Sequence, residues 1–509
     1  PFTTQGSWLR DGFLRFPKVA CLAMPCCALK PSDREELRAW FSIVWPACIS
    51  TLLFILMDVT DESMLGHFQH GDLLPAASST VLVIGLTSAL FQRGPCGAVV
   101  TLSANAFGAG QTELAGRRLQ VSLVMTALLG ACVAPVWCFA GELLHGMTPS
   151  PVDASHVDTF GRWRLVGIVP NATFWVLKCW LQGRKVTTPA MYSALLGFIM
   201  NLLLNYILIF GCFGWSGLGF VGSPIATAVS RWSMCATLAY LARSEVRSCW
   251  PSTWSPSFSA SRLKEFLKLS VPLTLSGLLE EFNMQVTALF ALHFGAQDLA
   301  THNCMLTAFL LLSTIMMGCA DGTSTRVAHH IVAGDVAKMK RLVVLVFWAM
   351  FSWSLFVMVA LAILQNRIGM FFSENHEVWR LSGQLSFLVG LAYFMMSFFY
   401  LALSVLEGIA RPTIILVGFV VGCYCVGLPV TYLLGFKASP DIFAWWPYFD
   451  PHTASGPDST GCGVLGLWMG LAAGYLTTTA VTCSRLLCMK NWEAEVARAR
   501  DMAELDRGQ

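Results

Sequence analysis

Apolar runs long enough to cross a bilayer recur along nearly the whole chain, separated by short segments carrying Gly, Pro and charged residues. A membrane-crossing helix needs about 20 predominantly apolar residues. By that measure the pattern predicts spans at 39–64, 73–106, 119–145, 158–181, 188–211, 217–242, 264–294, 298–332, 341–364, 378–409, 412–436 and 463–488. The longer segments exceed what a perpendicular helix requires, so they are expected to tilt or bend. The predicted fold class is an all-α integral membrane protein of twelve transmembrane helices.

Composition agrees. Hydrophobic residues make up 55% and charged residues 12% of the chain, against about 25% charged in an ordinary soluble domain. Lys and Arg collect in cytoplasmic loops, which tests the span count independently. With the N-terminus inside, that side holds Arg117, Arg118, Arg184, Lys185, Arg243, Arg247, Arg262, Lys264, Lys268, Lys338, Lys340, Arg341, Arg411, Arg485 and Lys490 together with the basic residues of both terminal segments. The opposite side holds Arg162, Arg164, Arg367, Arg380 and Lys437. Both termini are therefore predicted cytoplasmic, in a multi-pass protein of a plasma or organelle membrane. The net charge of +3 adds little, and no basic stripe suggests nucleic acid. Most of the 18 cysteines lie singly inside apolar runs, as Cys132, Cys138, Cys179, Cys235 and Cys304 do, and read as small buried hydrophobes. Cys26 and Cys27 are adjacent in a short amphipathic leader, a candidate for palmitoylation. Residues 1–30, with Arg10, Arg15, an apolar patch and no initiating Met, are compatible with a truncated targeting segment. No Cys or His spacing suggests a metal.

An internal repeat organises the spans. A shift of 226 superposes Pro46 on Pro272, His67 on His293, Phe68 on Phe294, Asp72 on Asp298 and Leu73 on Leu299. A shift of 224 superposes Gly94 on Gly318, Thr101 on Thr325, Ala109 and Gly110 on Ala333 and Gly334, and Arg117 on Arg341. Six spans per repeat is an even number, so both repeats enter from the same side and form parallel lobes related by a pseudo-two-fold axis along the membrane normal. The expected organisation is a cytoplasmic segment at 1–38, a first lobe at 39–243, a Ser- and Pro-rich linker at 244–262, a second lobe at 263–490 and a tail at 491–509. The irregular stretch 437–463 reads as a large outer loop whose aromatics rest at the interface.

Several ordered motifs resemble the multidrug and toxic compound extrusion (MATE) family of cation antiporters, over roughly residues 38 to 490. "TLSANAFGAGQ" at 101–111 resembles the family's small-residue segment ending in Gln-Ala-x-Gly-Ala, with Asn105 where Gln is usual. "STRVAHHIVAG" at 324–334 resembles its Arg-Val-Gly-Asn-x-x-Gly-Ala-Gly partner, with His329 in the Asn place. "NLLLNYILIFG" and "GLGFVGSPIAT" follow the fifth and sixth helices, and "YCVGLPVTYLLGF" followed by "GVLGLWMGLAAG" completes the C-terminal signature.

The resemblance implies where coupling chemistry lies. The family's prokaryotic members carry an Asp on the first helix five residues before a Gly, and "DESMLG" sets Asp61 five before Gly66. By helical geometry Asp58, Asp61 and Glu62 fall within about 100° of arc, so one face could present all three to a cavity. The bland alternative is a solvated helix end beyond the apolar run. Asn201 and Asn205, spaced i, i+4, resemble the family's polar residues facing that Asp, where they share its proton or ligate a cation; plain interhelical hydrogen bonding is the alternative. Glu280 sits eight residues after Pro272 in an apolar helix, where a charge costs about 2.5–3.5 kcal/mol, and family members hold a functional Glu at that offset. Glu281 projects elsewhere on the helix, toward Gln285. Met396 stands where many members carry a second-lobe acid. Glu407 in the same helix either substitutes for that acid or caps the helix end near Arg411. Asp321 lies where small residues are usual, and its place near Gly318, with Arg93 near Gly94, suggests that the two pair across the lobe interface.

The function these features imply is secondary antiport: protons, or Na+, enter as an organic cation or xenobiotic leaves, with the lobes rocking around a central site. No cofactor beyond the coupling ion is expected, and the protein is expected to be a monomer in the bilayer. The runner-up is export of a lipid or organic-acid metabolite within the same superfamily, since fold does not decide substrate. A membrane-embedded enzyme would want Asp-x-x-x-Asp or His-rich motifs that this chain lacks. The acids are also too few and too separated to line a channel.

Overall fold

The structure is a computed structural model that describes residues 30–68, 74–145, 154–212, 214–253, 255–371, 375–439, 461–489 and 491–504. The leader with Cys26 and Cys27, and most of the expected outer loop at 437–463, lie outside the described residues.

Twelve long helical segments follow in the predicted order. In the first half they are α1 (Pro31–His67), α2 (Leu74–Gly108), α3 (Thr112–Cys138), α4 (Ala154–Leu165 and Ile168–Gly183), α5 (Thr188–Asn205, continuing through Tyr206–Phe210) and α6 (Gly222–Leu241). The second half holds α7 (Ala260–Phe294), α8 (Ala296–Ala333), α9 (Val336–Leu364), α10 (His376–Gly408), α11 (Pro412–Phe419, extended to Lys437) and α12 (Gly463–Leu487). Eight of them, α1, α3, α5 and α8–α12, are long and apolar enough to cross a membrane by length and composition alone. Charged residues lie within members of both sets: Arg93 on α2, Arg164 and Lys178 on α4, Arg231 on α6 and Glu280 with Glu281 on α7, but also Asp61 on α1, Asp321 on α8 and Glu407 on α10.

Helix α1 begins eight residues before its predicted span, at Pro31. Proline suits the first helical position because its missing N–H is unsatisfied there anyway, and Asp33 in the first turn complements the helix dipole. The 244–262 linker is less irregular than its composition predicts. Arg243–Cys249 is helical, with Cys249 buried and its carbonyl against Gly116 of α3, where a Cβ would stand 1.8 Å away.

The two halves meet along two equivalent seams, α2 against α7 and α8 against α1. Small residues allow the approach. A Cβ on Gly94 of α2 would lie 2.5 Å from the Ser270 carbonyl oxygen of α7, and one on Gly318 of α8 would lie 2.9 Å from the Cys48 nitrogen of α1. These are the glycines superposed by the internal repeat, and Pro46 and Pro272 likewise lie inside α1 and α7. Two six-helix lobes related by a pseudo-two-fold axis are thus visible in both sequence and packing.

A further amphipathic helix, α13 (Trp492–Glu504), crosses the end of the bundle where α1 starts. Its Met502 carbonyl accepts from Arg118 Nη2 of α3 at 2.6 Å, and its Glu495 takes both donors of Arg411 at 2.6 and 3.1 Å. Arg498 and Arg500 donate to the carbonyls of Ala410 and Val332, which end α10 and α8. This segment therefore touches both halves.

Candidate functional site

The charged residues inside the bundle form two groups. The first is internal to α1–α6. Asp61, only 3% exposed, accepts from Asn201 Nδ2 at 2.9 Å and Asn205 Nδ2 at 2.7 Å on one oxygen. Its other oxygen accepts from Thr227 Oγ1 at 2.5 Å and Arg164 Nη1 at 3.0 Å. The i, i+4 spacing of the two asparagines puts both amides on one face of α5, as expected. Arg164 reaches Asp61 because α4 breaks at Val166–Gly167. The released Val166 carbonyl is taken by Trp232 Nε1 of α6 at 3.0 Å, and Gly167 packs against Ala228. Asp58 joins the same group, 3.6 Å from Arg164 and 3.4 Å from Arg231, whose guanidinium lies 3.5 Å from the Phe54 ring centre. Glu62, one position past Asp61, is exposed. Asp61 is not the solvated end of a helix, and the three acids differ sharply in burial.

The second group lies on the seam. Glu280 of α7 pairs with Arg93 of α2 at 3.4 Å, with side-chain exposures of 15% and 39%. Gly277 makes room for Arg93: a Cβ there would stand 2.7 Å from the arginine Cγ. Tyr400 of α10, Glu281 and Glu407 lie near enough to act on Arg93 electrostatically. Tyr424 Oη of α11 donates to the Leu279 carbonyl at 2.8 Å, tying α11 to the turn that carries Glu280.

Three expectations are corrected here. Arg93 pairs with Glu280, not with Asp321, whose neighbours are Lys178 and Gln182 of α4; Gln182 Nε2 donates to the Asp321 carbonyl at 3.2 Å. The equivalent glycines explain it, because Gly94 faces α7 while Gly318 faces α1, so residues beside them sit on different seams. Glu407 does not cap the helix end near Arg411, which is bound to Glu495; its carbonyl instead accepts from Thr101 Oγ1 at 3.0 Å. Glu281 shares the surroundings of Arg93 rather than pairing with Gln285. Met396 is a buried core residue beside Ser313.

At the end bearing α13, further ion pairs join the halves. Asp33 of α1 meets Arg341 of α9 at 2.7 Å, Glu36 takes Arg326 Nε at 2.9 Å and His330 at 2.9 Å, and Arg118 faces Glu265 at 3.4 Å. Glu36 lies outside the predicted 39–64 span. Burial raises its pKa, but the hydrogen bonds from His330 and Arg326 outweigh that and hold it at about 2. It stays ionised at any physiological pH and acts as a tie rather than a proton carrier.

The sequence does not mark Arg164, Arg231 or Thr227 as site residues. Arg164 falls in the predicted 158–181 span and counts there only as one of the outer-side basic residues. Arg231 carried a usable signal, an arginine within an apolar span, and Thr227 ends the motif "GLGFVGSPIAT".

Taken together, two parallel six-helix lobes with charge buried inside one and between both define a multi-pass membrane transporter. The MatE family model matches residues 46–207 and again 272–433. The chain belongs to the MATE family, whose members are transporters and not enzymes. It is 26% identical to an uncharacterized transporter of Schizosaccharomyces pombe over 88% of this chain and 78% of that one. It is 24% identical to the multidrug resistance protein MdtK of Cronobacter sakazakii over 91% of this chain and 98% of that one. The fold matches the eukaryotic MATE transporter AtDTX14 with TM-score 0.77 at 21% identity, covering 92% of this chain and 99% of that one. It also matches the Vibrio cholerae MATE transporter VcmN in the bent form with TM-score 0.76 at 17% identity, covering 93% and 100%.

Proposed function

We propose that this protein exports organic cations or xenobiotics in exchange for protons, by alternating access of its two lobes. The observation that carries this reading is the Glu280–Arg93 pair, a titratable group held across the seam by a partner from the other lobe. Protonation removes the charge of Glu280 and with it the attraction to Arg93, which loosens the seam within the membrane. A cation entering the site competes for the same carboxylate and expels the proton. The end bearing α13 faces the cytoplasm on this reading, and its ion pairs hold that side shut while the opposite side is open. The multidrug resistance names of bacterial relatives support the substrate class.

Na+ as the coupling ion is a second reading, supported by the buried Oδ1 atoms of Asn201 and Asn205, which lack hydrogen-bond partners beside Asp61. Export of an organic-acid or lipid metabolite is a third, and draws on the buried cations Arg231 and Lys178. Uptake of labelled cation into vesicles, with pH and Na+ gradients imposed separately, decides among these. Movement driven by pH and lost in Glu280→Gln supports the proton reading; movement that follows Na+ alone, or undiminished pH-driven movement in a well-expressed Glu280→Gln protein, refutes it.

A further inference from the structure

The antiport reading treats Glu280 as the acid that meets a cation, yet Glu280 already faces a cation, Arg93 of the other lobe. Arg93 is 39% exposed and Glu280 15%. A purely cationic substrate must displace that guanidinium from its carboxylate to reach it. Among the described residues Glu280 is the acid within ion-pair distance of Arg93, while Glu281 and Glu407 lie farther off. Displacement would leave Arg93, on a helix inside the bundle, with no acid at ion-pair distance, and a lone charge in a membrane segment is disfavoured. The stem of Arg93 is seated on Gly277, which limits how far the guanidinium can swing away.

A substrate bearing its own anionic group removes this conflict. Its amine takes Glu280 and its carboxylate takes Arg93, so one ion pair becomes two. The guanidinium is suited to this: its planar fork matches a carboxylate with two parallel donors, and the contact to Glu280 at 3.4 Å engages it weakly. Glu281 and Glu407 nearby disfavour a substrate that is anionic alone. We infer that Arg93 is a specificity-determining residue and that the preferred substrates are dipolar, with a cationic and an anionic group on one molecule. This rests on the export reading above for the site, though not on the identity of the coupling ion.

Rhodamine B, a zwitterion with a free carboxylate, and its ethyl ester, a plain cation, differ by the group in question. Binding of each to the purified full chain is measured by fluorescence anisotropy, alongside pH-driven movement of each in vesicles. The wild-type protein should bind rhodamine B about ten-fold more tightly than the ester, the factor that one charge-assisted hydrogen bond supplies. In Arg93→Gln that ratio should fall to about one through loss of rhodamine B affinity, and Arg93→Lys should keep part of it. A wild-type preference for the ester, or a ratio unaltered in Arg93→Gln, overturns the inference. If Arg93→Gln binds neither dye, Arg93→Lys decides: a retained ratio supports the inference and a lost one overturns it. Carboxylate preference without pH-driven movement supports Arg93 as the selector and overturns proton coupling, whereas pH-driven movement of the ester without carboxylate preference does the reverse.

Discussion

Asp61 and Glu280 are both carboxylates inside the bundle, and both face an arginine, but they are held in opposite ways. Asp61 accepts from four side chains, and every partner comes from α4, α5 or α6 of its own lobe. Glu280 has one arginine partner, longer at 3.4 Å, and it comes from the other lobe. A charge surrounded within a lobe travels with that lobe as a rigid unit. A charge shared between lobes changes its surroundings whenever they move. On the proposed alternating access, the same residue chemistry would serve as a staple in one place and a moving contact in the other, and the origin of the partner, not the identity of the acid, separates them.

The largest expected effect falls on the moving contact. Glu280→Gln keeps size and hydrogen bonding, and pH-driven uptake into vesicles should drop to background while the protein remains folded at the membrane. If uptake persists and Asp61→Asn removes it instead, the assignment of roles is inverted. Next in size is the staple. Asp61→Ala leaves Arg164 buried without its closest acid, and loss of one partner of a buried pair costs about 3–5 kcal/mol; thermal unfolding in detergent should register it, and a shift no larger than that of Glu280→Gln would erase the contrast. The seams come third. Gly94→Ala places a Cβ 2.5 Å from a backbone oxygen and Gly318→Ala one 2.9 Å from a backbone nitrogen, and overpacking of this kind costs about 1–3 kcal/mol. The first should lower the melting temperature more than the second, and equal shifts would count against the asymmetry. Smallest is Arg411→Gln, which removes a partly exposed pair with Glu495 worth about 0.2–1 kcal/mol, visible as slightly faster proteolysis of α13.

What could be read from the residues alone follows the same division. The twelve spans, the equivalent prolines and the shared face of Asn201 and Asn205 rest on periodicity and local spacing, which a linear sequence preserves, whereas their facing toward Asp61 comes only from the family resemblance. Arg164, near the start of the predicted 158–181 span, reads as an outer-side basic residue, and only the break at Val166–Gly167, closed by Trp232 from another helix, accompanies its turn toward Asp61. Arg93 was matched to the wrong acid for a related reason. The repeat correctly equated Gly94 with Gly318, but residues equivalent under a two-fold axis lie on opposite sides of it. Symmetry makes such residues alike without making them neighbours. The helical content of 243–249 and 492–504 was missed because both segments are polar and gain their order from docking on the bundle end.

The docking of α13 has a consequence for any attempt to control this protein from outside. Because the helix is covalently attached to α12, it acts as a ligand present at an effective concentration in about the millimolar range. A peptide copy of residues 492–504 supplied in solution at micromolar levels would compete poorly for that surface. Severing the chain between Leu487 and Trp492 would turn the same contacts into an ordinary bimolecular equilibrium, set by dose.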